Sequence, residues 1–198
     1  MIQALVAASV FYLQPLGAAL PEADVMAVKT ALVEMYGIPV TVLPSIELPR
    51  VAYYPARKRY RADKLLAFLR PRLPADGARI LGLTAVDIST TKPPYDDWGV
   101  MGLGEVPGTV GVISSFRCYK RTTSPTNGRE RLAKTAAHEI GHTLGLPHCP
   151  VPGCLMADAE GSVKSSDREG DLCPKCRAQL ATSGRTLPAK PRLPWPAP

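Results

Sequence analysis

Residues 138–149 read His-Glu-Ile-Gly-His-Thr-Leu-Gly-Leu-Pro-His-Cys, the pattern H-E-x-x-H-x-x-G-x-x-H-C. Side chains four apart share one face of a helix, so His138 and His142 can aim both imidazoles at one metal ion. Glu139 follows the first of them and can reach a metal-bound water as a general base. Gly145 allows the helix to end in a left-handed conformation, and Pro147 keeps it from resuming. That reversal can return His148 as a third ligand, leaving the fourth position of a tetrahedral zinc open to water, as catalysis requires. The chain has three histidines and all three lie in this motif, so none is spent elsewhere.

A second set of candidate ligands follows at once. Of the five cysteines, four fall in two pairs, Cys149 with Cys154 and Cys173 with Cys176. This spacing reads as metal ligation rather than as two disulfides, and no strand–helix context supports a redox role for the C-x-x-C pair. Four thiolates close a tetrahedral site with no open position, so such a zinc is structural. Cys118 is left over and reads as a small buried hydrophobe. Reduced, metal-bound cysteines point to the cytoplasm.

The whole run is more specific than either half. H-E-x-x-H-x-x-G-x-x-H-C is followed by Cys154-Leu155-Met156, then sixteen residues, then Cys173-x-x-Cys176. It resembles the archaemetzincins, a branch of the metzincin zinc metallopeptidases, and the resemblance spans most of residues 1–182. It implies that His138, His142 and His148 hold a catalytic zinc with Glu139 as general base. Met156 would be the Met-turn residue, an apolar floor beneath the histidines, and Cys149, Cys154, Cys173 and Cys176 would hold a second, structural zinc. The implied fold is α/β (α+β): a twisted mixed sheet with helices, an active-site helix and a small C-terminal zinc-stabilised subdomain. A strand at 109–116 would border the cleft and pair with an extended peptide.

The elements that must position these residues can be read in order. Residues 3–13 suit a first strand; the apolar start of the chain lacks the charged n-region of a signal peptide. Pro21 opens a helix with Val25, Val28, Leu32 and Met35 on one face, stopped at Gly37. Residues 38–43 form a short strand and 44–57 a loop. A helix covers 62–69 with Leu65, Leu66 and Leu69 inward, ended by Pro71 and Pro74, and 79–86 is a buried strand ending at Asp87. Residues 88–108, rich in Pro and Gly, read as loop plus a short strand, with Asp87, Asp96, Asp97 and Trp98 as turn and packing residues. A strand at 109–116, a polar loop at 120–128 and the motif helix at 130–144 follow, with Leu132, Ala133, Ala136, Ile140 and Leu144 facing the core. A last helix falls within 171–180. This order suggests an α/β layer with partly parallel pairing. The domain organisation expected is a catalytic unit over 1–182, with an upper part (1–145) and a lower part (146–182), then a Pro-rich tail over 183–198, extended or disordered.

Composition narrows the function further. At 198 residues with 45% hydrophobic content, the chain suits one domain with an ordinary core. The net charge is +7, part of it in Arg57-Lys58-Arg59-Tyr60-Arg61, read as a solvated helix start. No nucleic-acid fold signature accompanies it, and no apolar run reaches the roughly 18 residues of a membrane span. The expectation is therefore a zinc metallopeptidase acting on peptides or proteins as a monomer, binding neither nucleic acid nor membrane. The rival is a zinc-stabilised binding protein with a vestigial catalytic site. Glu139 separates the two, because a structural zinc has no use for a base.

Overall fold

The computed structural model describes residues 10–159 and 162–195. The first strand, β1 (Val10–Leu16), runs past Gln14 and Pro15; residues 3–9 of the expected strand lie outside the described residues. Helix α1 (Glu22–Tyr36) follows Pro21 and ends at Gly37, whose φ of 66° is left-handed. Val28, Leu32 and Met35 of its apolar face are buried. Then come β2 (Val40–Val42), two short 3-10 turns flanking β3 (Tyr53–Tyr54), β4 (Arg59–Arg61) and helix α2 (Ala62–Leu69). Helix α2 has the expected bounds, with Leu65, Leu66 and Leu69 buried.

The basic run leads into α2, with Arg61 as its N-cap, but it is not simply solvated. Arg59 and Arg61 lie on β4, and the Arg59 guanidinium is 2.9 Å from both Asp87 and Asp97. The expectation of a solvated helix start misses this because sequence separation hides those carboxylates; strand pairing of β4 brings them within ion-pair range.

Strand β5 (Gly77–Thr84) leads to the second departure. Residues 88–108 hold three strands, β6 (Ile88–Lys92), β7 (Tyr95–Val100) and β8 (Gly102–Gly104), rather than one. Pro93 and Pro94 form the tip of the β6–β7 hairpin, and glycine, a poor strand former by propensity, is admitted in β8 by what packs on it. Next are β9 (Val110–Ser114), α3 (Ser115–Cys118) and the long helix α4 (Pro125–Thr143). Helix α4 starts five residues before the expected 130: Ser124 caps it, its hydroxyl accepting from the Asn127 amide at 3.1 Å, and Pro125 takes the first position. The chain ends with α5 (Val163–Ser166), α6 (Pro174–Thr182) and the Pro-rich segment.

Two sheets organise these elements. The larger runs β2-β1-β5-β9-β8, parallel except that β8 is antiparallel to β9; the smaller runs β3-β4-β6-β7. The expected peptide-pairing strand at 109–116 is therefore interior, since β9 already has a neighbour on each side, and the edge beside the cleft is β8. One core cluster joins α1, α4, β1 and the cysteine-bearing segment; the other lies between α2 and the opposite sheet face. Tyr36 of α1 donates to the Ala137 carbonyl at 2.6 Å, fastening α1 to α4. The described part of the Pro-rich segment, residues 183–195, has neither helix nor strand, yet it packs on the fold. Trp195 is buried, its indole N–H donates to the Gly170 carbonyl at 3.0 Å, and Leu187 and Leu193 pack on the first core. Three apolar side chains among the prolines outweigh the compositional signal for disorder. No described helix is long and apolar enough to cross a membrane.

Candidate active site

Helix α4 carries Leu132, Ala133, Ala136 and Ile140 into the core and turns His138, Glu139 and His142 toward a cleft of about 1120 Å³. It ends as its sequence implies. Gly145 has φ 98°, and the Leu146 amide bonds back to the Gly141 carbonyl at 3.0 Å. The reversal carries the chain back along the helix and returns His148 to the cleft. One ring nitrogen from each of His138, His142 and His148 lies within 4.8 Å of the others.

Backbone carbonyls orient two of these rings. The Nδ1 of His138 is 2.7 Å from the Leu155 carbonyl, and that of His142 is 2.7 Å from the Leu146 carbonyl. A carbonyl only accepts, so each Nδ1 carries the proton and Nε2 keeps its lone pair for the cleft. Burial, with the neighbouring His142 ring adding to it, pushes His138 down to about 3, and burial also lowers His142. Neutral imidazoles are the ligating form. His148 is exposed, with Asp158 3.6 Å from its Nδ1. The donor set, its tautomers and its spacing fit a zinc ion with an open position.

Glu139 stands on the cleft wall beside this triad, against β8. Gly102 and Gly104 are two apart and so share a face of that strand. A Cβ on Gly102 would lie 2.5 Å from Glu139 Oε1, and one on Gly104 would lie 2.6 Å from the Glu139 carbonyl oxygen. Only glycine allows β8 to come so near. Burial raises the Glu139 carboxyl to about 8, opposed by a hydrogen bond from the Gly104 backbone. A dication in front of that carboxyl would favour its ionised form.

Met156 is fully buried under the helix, with its sulfur where a side chain on Gly141 would have to go. The Cys149 amide donates to the Met156 carbonyl at 2.8 Å, so the segments that carry His148 and Met156 are tied together. Cys149, Cys154, Cys173 and Cys176 also converge: none is in a disulfide, and all four sulfurs lie within 4.8 Å of one another. The Cys149–Cys173 and Cys154–Cys176 sulfur pairs are 3.7 and 3.8 Å apart. A tetrahedron with arms of about 2.3 Å, the zinc–thiolate length, has edges of about 3.8 Å. The four thiols therefore fit a closed zinc site.

The structure thus brings together every residue singled out by the motif, in two groups. Sequence reasoning missed the carbonyls of Leu146 and Leu155, the glycines of β8 and the Asp158 carboxylate. Carbonyls leave no trace in residue type; the Gly-x-Gly repeat at 102–104 was a visible signal, at strand spacing.

Comparisons with known proteins agree with this geometry. The sequence profile described as peptidase family M54 matches residues 23–182. An archaemetzincin of Archaeoglobus fulgidus is 32% identical over 170 residues, covering 85% of this chain and 97% of that protein. The crystal structure of an archaemetzincin from Methanopyrus kandleri superposes with a TM-score of 0.77 at 29% identity, covering 91% of this chain and 98% of that one. A zinc-dependent peptidase from Methanocorpusculum labreanum superposes with a TM-score of 0.70 at 27% identity, covering 85% and 99%. The chain belongs to peptidase family M54, the archaemetzincins, and is a zinc metallopeptidase.

Proposed function

We propose that this chain hydrolyses peptide bonds in the cleft under β8, with His138, His142 and His148 holding the catalytic zinc and Glu139 as the general base. The observation that carries the reading is the placement of Glu139: a buried carboxylate on the cleft wall, one residue from a ligand candidate and held by a glycine strand. Zinc bound to the three imidazoles would supply Lewis acidity, bringing the pKa of a water toward about 7. Glu139 accepts the proton of the attacking water and passes it to the departing amine. The unpaired edge of β8 offers backbone groups to an extended substrate. Cys149, Cys154, Cys173 and Cys176 would hold a second, structural zinc, giving two per chain, with Met156 as the apolar floor. Residues 1–182 would form the catalytic unit, with 146–182 as its lower part.

The test is peptide hydrolysis by zinc-loaded protein beside the Glu139→Gln variant. Loss of a general base should lower kcat on the order of 10²–10⁴-fold with zinc content unchanged. Equal rates in both would overturn the mechanism.

A further inference from the structure

We propose that the cleft selects substrates whose residue immediately after the cleaved bond carries an acidic side chain. The inference rests on the reading of the cleft as a peptide site.

Direction comes from β8 and α4. Gly102 abuts the Glu139 carboxylate, whereas Gly104 abuts the Glu139 carbonyl oxygen and the His142 Cβ. Strand β8 therefore runs in the same sense as α4, toward the His142 end. A peptide on the free edge of β8 pairs slightly better antiparallel than parallel. It then enters at the His142 end and leaves toward the amino-terminal half of α4. The residue after the cleaved bond is presented to the compartment that Thr135 and Arg131 border.

Charge in that compartment is unbalanced. Arg131 is held by both oxygens of Asp167 at 2.7 Å, and Arg117 is 2.7 Å from Asp87, so these cations are already matched. Lys120, Arg121 and Lys164 also border the cleft, all three exposed, and none has a carboxylate within ion-pair distance among the described residues. The Lys120 ammonium lies over the Phe116 ring at 4.5 Å, and its carbonyl accepts from Arg131 at 2.9 Å, which ties this loop to α4. Among the described residues lining the cleft, Asp158 is shared with Lys92 and His148, and Glu169 is buried, which raises its carboxyl to about 7. Lys92 also borders the cleft and is 3.8 Å from Asp158, so that cation is matched as well. A carboxylate entering the first compartment gains charge-assisted contacts with Lys120, Arg121 and Lys164, and a lysine there is repelled.

The experiment uses peptides that differ only at the residue after the cleaved bond: Asp, Asn or Lys. With the zinc-loaded full chain, kcat/KM should fall in that order, Asp exceeding Asn by about tenfold, as expected of hydrogen bonds to a charged group. Calorimetric binding of the same peptides to the Glu139→Gln chain should keep the order without hydrolysis. Reversing charge with Arg121→Glu and Lys164→Glu together should move the preference to the Lys peptide. Equal binding of the Asp and Lys peptides, or an Asp preference that survives charge reversal, would overturn the proposal. Asp-selective binding with no hydrolysis by the parent chain would support this selectivity and overturn the hydrolytic reading instead.

Discussion

At the scale of single residues, the site depends on contacts that leave no slack. Glu139 is trapped between the triad and β8, where a Cβ on Gly102 would come within 2.5 Å of its carboxylate. Gly102→Ala should therefore displace the base while leaving the three imidazoles in place. A displacement near 1 Å costs about 10²-fold in rate. The expected result is a kcat loss of that order with normal zinc content and an unchanged melting profile. Full activity would show that β8 yields and that the close approach has no catalytic weight.

At the scale of elements, three consecutive residues join the two candidate metal sites. Cys154 belongs to the thiol cluster, the Leu155 carbonyl orients His138, and Met156 lies under α4. The Leu155 amide is itself fixed by the Asp171 carbonyl at 3.0 Å, two residues before Cys173. Loosening the thiol cluster should thus rotate His138 as well as shift His148, which is bonded in sequence to Cys149. Cys173→Ser should lose one zinc ion by metal analysis and lower activity about 10–100-fold, the usual effect of disturbing groups that orient ligands. Full activity with an unchanged catalytic zinc would show that the two sites are independent.

At the scale of the whole molecule, the C-terminal segment closes the fold. Trp195 covers Gly170, on the loop that leads into the thiol cluster, and the Arg192 amide donates to Glu34 of α1 at 3.0 Å. Arg177 of α6 donates to the Pro188 carbonyl and is paired with Asp171. The segment so connects α1, α6 and the cysteine-bearing loop. Trp195→Ala should destabilise the chain by about 3–5 kcal/mol, the cost of truncating a buried aromatic. In a chain of this size that lowers Tm on the order of 10 °C. A change under about 2 °C in thermal unfolding would show that the segment merely rests on the surface.

Spacing alone determined the chemistry. Two histidines four apart on a helix, a glycine to end it and a third histidine after the turn lie within one continuous stretch, where local backbone geometry suffices. The same holds for α1 and α2, whose apolar periodicity and stop residues are local. Only the tertiary structure decided what long-range pairing controls. It made β8 rather than β9 the open edge, turned residues 88–108 into three strands, and set the basic run against Asp87 and Asp97. It also folded a proline-rich segment onto the core through Trp195. These outcomes depend on which strands become neighbours and which distant carboxylates and carbonyls come to lie beside a side chain. That information is spread over separations of tens of residues, beyond the reach of residue type and spacing.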